Sequence, residues 1–176
     1  MKIVKILAVA IAVIIAIPLI VALFLPKQYT ISVSTVIDKP KSEVFDFVKT
    51  IKRQQEYSVW MKADTTAKVE YKGTDGTVGF IQSWNSTSDE VGEGEQEIIR
   101  LTEDSMVVEL RFKRPFESTA SAATICTMID STHTQVTADF YANDKYPFNI
   151  FQLVGKGMIT EAQNQNLKNM KAILEK

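Results

Sequence analysis

Between Phe148 and Ile173 the apolar residues Phe148, Phe151, Val154, Met158, Ile159, Ala162, Met170 and Ile173 recur mostly at spacings of three and four, while Lys156, Glu161 and Lys168 fall outside the series. That period is a helix with one apolar stripe. Pro147 suits its first position, where the missing N–H has no intrahelical partner to lose. The helix predicted over 147–176 cannot leave its stripe in water, so the rest of the chain must cover it with a sheet. Asn166 sits at the centre of the stripe, seven residues from both Ile159 and Ile173 and four from both Ala162 and Met170. An amide therefore points into whatever lies beneath, and a buried amide needs a partner.

The preceding residues can supply that sheet. Residues 28–37 alternate Tyr29, Ile31, Val33 and Thr35 against Thr30, Ser32 and Ser34, the pattern of a half-buried strand. Pro40 then opens a helix with Val44, Phe45, Val48 and Ile51 on one face, closing among Lys49, Lys52 and Arg53, which complement its C-terminal dipole. Residues 54–66, with Trp60 and Met61, read as irregular. From there the period becomes two, with strands predicted over 68–72, 78–85, 92–101, 106–113, 120–129 and 134–141. Asp75-Gly76 is a two-residue hairpin signal, and further turns fall at 103–105, 114–116 and 130–132. Sequential strands joined by short turns make an antiparallel sheet. The class is α+β, with about seven strands curved around a long C-terminal helix.

The N-terminus is of a different kind. From Ile6 to Leu25 there are twenty residues without a charge; as a helix they extend about 30 Å, the hydrocarbon thickness of a bilayer. A cleaved signal peptide is the alternative reading. Against it, the run exceeds the usual apolar stretch of about 7–15 residues, and Ala22-Leu23-Phe24-Leu25-Pro26 lacks a small-x-small cleavage site. Residues 1–27 are therefore expected to be a single-pass anchor and short tether, and residues 28–176 one domain held close to the bilayer. Lys2, Lys5 and the α-amino group compete with Lys27, Lys39 and Lys41 on the far side, and the nearer charges favour an extracytoplasmic domain. The 176 residues carry a net charge of −1 and no basic run interleaved with aromatics, which excludes a nucleic-acid partner. One cysteine and one histidine exclude an internal disulfide and a Cys/His zinc site.

The order of elements resembles the helix-grip fold of the SRPBCC superfamily, the START-like group that includes polyketide cyclase/dehydrase-like proteins, plant proteins of the Bet v 1 type and lipid-transfer domains. The local likeness rests on Val44-Phe45, on Trp60-Met61-Lys62-Ala63-Asp64, and on Tyr71-Lys72-Gly73 with Gly76-Thr77-Val78-Gly79. Ser83-Trp84-Asn85-Ser86 and Val91-Gly92-Glu93-Gly94-Glu95 continue it. It spans residues 29–176, is similar to the polyketide cyclase-like members, and marks fold better than function.

The resemblance implies a cavity between the sheet and the last helix, and strand parity indicates which side chains face it. Val78, Phe80, Gln82 and Trp84 share one face; so do Val108, Leu110 and Phe112, with Glu109, Arg111 and Lys113 turned to solvent. Val69, Tyr71, Ile98, Val136, Ala138 and Phe140 extend a mostly apolar lining, the profile of a small-molecule pocket. The expected ligand-binding residues are Trp60, Tyr71, Phe80, Gln82, Trp84, Gln96, Ile98, Leu110, Phe112, Phe140, Phe151, Met158, Ala162 and Asn166. The competing reading is that these side chains pack into one another and leave no void. Gln82, Gln96 and Asn166 fall on apolar faces, where they either orient a ligand's carbonyl or hydroxyl or bond to backbone and to one another.

No catalytic residue, cofactor or metal site is expected. His133 lies in a turn with no obvious carboxylate neighbour, Cys126 reads as a small buried hydrophobe, and Glu93, Glu95 and Glu97 form the solvated face of a strand. Three functions compete: a membrane-tethered protein that binds a hydrophobic, lipid-like small molecule; a cyclase/dehydratase-like enzyme, for which acid and base groups are wanting; and an interaction module with a filled core.

Overall fold

The computed structural model describes residues 2–176. Helix α1 (Lys2–Phe24) contains Pro18 and is long and apolar enough to cross a membrane. Strand β1 (Gln28–Ile37) follows after a tether of three residues, 25–27. Its inward side chains Ile31 and Ile37 are buried while Thr30, Ser32 and Ser34 are exposed, as the alternation requires. Helix α2 (Lys41–Lys49) buries Val44, Phe45, Phe47 and Val48, and a 3-10 turn (Ile51–Arg53) adds Ile51.

Where an irregular stretch was expected, two short helices occur, α3 (Gln54–Tyr57) and α4 (Val59–Ala63). They exist because the last helix holds them. Asn166 Oδ1 accepts the Val59 N–H at 2.8 Å, and Asn169 Nδ2 donates to the Tyr57 carbonyl at 2.8 Å. Side chains remote in sequence satisfy backbone groups that helices this short leave open.

Six more strands complete the sheet: β2 (Lys68–Lys72), β3 (Ile81–Asn85), β4 (Glu93–Leu101), β5 (Ser105–Arg114), β6 (Ser118–Met128) and β7 (Thr134–Asn143). All neighbours are antiparallel, in the order β1-β7-β6-β5-β4-β3-β2. The connection between β2 and β3 is longer than the two-residue hairpin expected from Asp75-Gly76, and β3 begins at Ile81 rather than Val78. Asp75 is occupied elsewhere: its carboxylate accepts the N–H groups of Ile51 and Lys52 at 2.9 and 3.1 Å. Gly79, at φ 88°, turns the chain out of the extended run that alternation alone suggests.

A 3-10 turn (Phe148–Phe151) leads into α5 (Gln152–Leu174), so the α-helix begins later than Pro147. The expected stripe is also only half covered. Ala162, Leu167, Met170 and Leu174 are buried, whereas Phe148, Phe151, Val154 and Met158 are exposed. Helix α5 lies along β1 and against α3 and α4.

The concave face of the sheet has two unlike halves. Ile37, Phe80, Ile98, Cys126 and Val136 pack with α2 and the C-terminal part of α5 into a closed core. The other half lies at the strand ends that Gln28, Asn143, Ser118, Arg114, Glu93 and Asn85 share by register. That is also the end at which α1 enters.

Candidate functional site

The inward positions of β6 and β7 in this open half are small. Ala120, Ala122 and Thr124 on β6 and Ala138 and Ala142 on β7 cannot span the distance to α5, and a cavity of about 510 Å³ lies between them. Leu110 and Phe112 of β5, Trp84 of β3 and Phe140 of β7 form its aromatic and aliphatic walls, Ile159 and Asn166 of α5 one side, and Tyr57 and Trp60 of α3 and α4 another. The Trp84 ring takes its place through Gly94, opposite it in the register. A Cβ on Gly94 would come within 2.7 Å of both the indole and the Arg111 carbonyl oxygen. The Trp84 Nε1–H donates to the Val91 carbonyl at 3.2 Å, so the indole edge is satisfied while its face remains apolar.

Polar groups enter the cavity at two places. Deep in the wall, Gln96 Nε2 donates to Gln54 Oε1 at 2.7 Å and also to Gln82 Oε1. Gln82 Nε2 is buried without a protein partner, so this chain of amides is one acceptor short. At the rim, Tyr29 and Asp144 face the cavity. Burial, and secondarily the Asp144 charge, raises the Tyr29 pKa, and burial raises that of Asp144. Lys156 Nζ stands 4.6 Å from the Tyr29 ring centroid. Asp64, also on the wall, is held below the usual carboxylate range, first by the Ser86 hydroxyl and then by Thr66.

Of the expected binding residues, Trp60, Trp84, Gln96, Leu110, Phe112, Phe140 and Asn166 line this cavity. The rest stand elsewhere. Phe80, Gln82 and Ile98 face inward but are sealed at 0–1% exposure: Phe80 and Ile98 belong to the core into which α2 packs, and Gln82 is held by Gln96. Tyr71 is exposed, with Lys52 Nζ 5.0 Å from its ring. Ala162 is buried outside the cavity wall, and Phe151 and Met158 are exposed. Ala138 was expected in the lining and is there, but Ala120, Ala122 and Thr124 of β6 and Ala142 of β7 were missed, although alternating alanines at inward parity were there to be read. Phe116 and Asp144 carried no periodic signal, and Tyr29 was read only as part of the alternation of β1.

The remaining candidates are structural. Arg111 donates to Glu95, Glu97 and Glu109 at 2.7, 2.7 and 2.5 Å, so the acidic strand face is an ion-pair cluster. His133, expected without a carboxylate neighbour, has Asp130 2.8 Å from Nδ1. Burial pushes the Cys126 thiol up to about 12, which makes it unreactive.

No protein-family model matches the sequence, and no curated protein matches it. Solved structures do. The crystal structure of Ara h 8.0201 is similar at a TM-score of 0.59 and 11% identity, over 84% of this chain and 97% of that one. The domain has the Bet v 1-like helix-grip fold. A Mesorhizobium loti protein is similar at a TM-score of 0.60 and 13% identity, over 84% of this chain and 97% of its own. The di-domain ARO/CYC StfQ, from the steffimycin biosynthetic pathway, gives a TM-score of 0.62 at 10% identity over 84% of this chain and 51% of that one. The helix-grip chain thus spans about half of that di-domain protein.

Proposed function

We propose that this protein is a single-pass membrane-anchored carrier for a hydrophobic, lipid-like small molecule, its domain on the extracytoplasmic side. The observation that carries the reading is the position of the cavity. A mostly apolar chamber of about 510 Å³ lies in the half of the domain at which α1 enters. Its volume falls in the range of small-molecule sites, and its polar groups are few, as orientation of a greasy ligand requires. The Gln96 amide nitrogen is committed to Gln54 and Gln82 and the Asn166 amide oxygen to Val59, so these side chains offer a ligand hydrogen bonds and no acid or base. The test is mass spectrometry of small molecules extracted from the detergent-purified full chain, followed by titration of the delipidated chain with cis-parinaric acid. A stoichiometric lipid and saturable uptake are expected; an empty chain that takes up neither fatty acid nor sterol overturns the reading.

One observation favours a second reading, a cyclase-type enzyme. Asp144 and Tyr29 place an acid with a raised pKa beside a phenol at the cavity rim, where the sequence offered no inward carboxylate. A co-purifying aromatic polyketide, rather than a lipid, would select it.

A further inference from the structure

The anchored-carrier reading leaves one surface unaccounted for. Phe116, on the turn between β5 and β6, and Phe148 and Phe151, on the turn before α5, stack with ring centroids 6.0 and 6.4 Å apart. They are nevertheless 62%, 57% and 58% exposed. Val154 and Met158 carry the same α5 stripe onward without cover. A contiguous aromatic and aliphatic face of this kind is what a domain in water avoids.

The protein also fixes where this face sits. Asn149, in the middle of the second turn, is fully buried and its Nδ2 donates to the Ala22 and Leu25 carbonyls at 2.8 and 3.1 Å. Gln152 Nε2 donates to the Pro26 carbonyl at 2.7 Å. The Ala22 and Leu25 carbonyls are ones that the C-terminus of α1 cannot satisfy internally, and the Pro26 carbonyl follows just beyond it. If α1 spans a bilayer, its last turn lies at the boundary of the hydrocarbon, and the phenylalanines beside Asn149 lie within about one helical turn of that depth, ~5 Å.

The surroundings fit the same place. Lys27, Lys145 and Tyr146, in the segments next to this turn, are exposed and Lys156 is half-exposed, a combination suited to the headgroup layer, where a phenol sits at the interface and lysine stems reach outward to phosphate. Phe116 belongs both to this face and to the cavity wall, together with Pro115 and Ser118.

Resting on the carrier reading, we propose that Phe116, Phe148 and Phe151 form a lip immersed in the interfacial layer of the bilayer that α1 crosses, so that the cavity opens onto lipid and exchanges its ligand with the leaflet. The occupant of the exposed aromatic face is the membrane itself.

The test uses the full chain reconstituted in phosphatidylcholine vesicles containing phosphatidylglycerol. An environment-sensitive nitrobenzoxadiazole label is placed in turn on Phe116→Cys, Phe151→Cys and Ser131→Cys, the last in the turn at the opposite end of the sheet. Native Cys126 is buried and stays unlabelled. At 116 and 151 the emission shifts to the blue and is quenched by spin-labelled phospholipid; at 131 it does neither. In the same vesicles, Phe116→Asp/Phe151→Asp slows transfer of a pyrene-labelled lipid several-fold while the chain still floats with the vesicles. Labels at 116 and 151 that remain as wet as the one at 131, in a chain that floats and takes up lipid, overturn the lip and leave the carrier standing. Immersed labels in a chain with no uptake support the lip and overturn the carrier.

Discussion

His133 is the one histidine of the chain, so its ring gives a single signal in a proton NMR titration. Its pKa is raised above 6.5, first by the hydrogen bond to Asp130 and then by that residue's charge, with Asp38 adding to the shift and Lys171 opposing it. A histidine whose pKa is raised on folding stabilises the fold below its unfolded value, and the contribution disappears as pH climbs through the folded value. Asp130 has the opposite sign. It is held down to about 2 by the Thr132 backbone N–H and then by His133, so its contribution is complete above the unfolded value and is lost as pH falls toward 2. The turn as a whole is thus best held at mildly acid pH. Asp130→Asn should return the His133 midpoint toward 6.5 and flatten the loss of stability on the neutral side. An unchanged midpoint in that variant would show that Asp38 governs the ring instead. Asp130 is exposed and the His133 side chain is 43% exposed, so the effect on overall stability is small.

At the scale of elements, the junction between α1 and α5 departs most from what periodicity predicts. The stripe on the last helix was legible and so was the apolar run at the N-terminus, but the contact between them rests on Asn149 and Gln152, polar residues that carry no pattern. The same amides explain why the α-helix starts at Gln152. With Asn149 turned toward the end of α1, residues 148–151 take a tighter 3-10 turn, and Phe148 and Phe151 are swung outward. Replacing both amides by leucine leaves the Ala22, Leu25 and Pro26 carbonyls without these donors. The Ala22 carbonyl is buried and costs about 1–3 kcal/mol when orphaned, the part-buried Leu25 and Pro26 carbonyls less, a loss to be read from denaturant unfolding in micelles. The more specific consequence is geometric. Spin labels on α1 and on β7 should give a narrow distance distribution in the parent chain and a broad one in Asn149→Leu/Gln152→Leu; equal widths would mean that the tether alone sets the geometry. The α3–α4 segment teaches the same lesson. Its helices are short, and the bonds from Asn166 and Asn169 that fix them reach back across more than a hundred residues.

For the whole molecule, parity identified the concave side of the sheet and could not reveal depth along it. Phe80, Gln82 and Ile98 have the inward parity of Trp84, Gln96 and Leu110, yet the first three are sealed in the packed interior and the last three line the cavity. The difference is made by which helix covers which half, a tertiary fact that alternation does not encode. What does encode the void is residue volume. A close-packed interior leaves few gaps larger than a water molecule, so a row of alanines at inward positions opposite a helix either draws the helix down or leaves a chamber. Here α5 is held along β1 and against α3 and α4, and it cannot descend. The void should then be removable without harm to the fold. Ala122→Phe with Ala138→Leu places new side chains into existing space, avoiding the overpacking cost of about 1–3 kcal/mol that such changes carry in a filled core. The thermal midpoint should hold or rise, while affinity for cis-parinaric acid falls roughly tenfold or more, about 1.4 kcal/mol. A variant that loses its midpoint instead would mean that α5 sits closer to β6 than the cavity requires. One that keeps both midpoint and affinity would place the ligand outside the chamber and remove the reason for treating the open half of the sheet as the site.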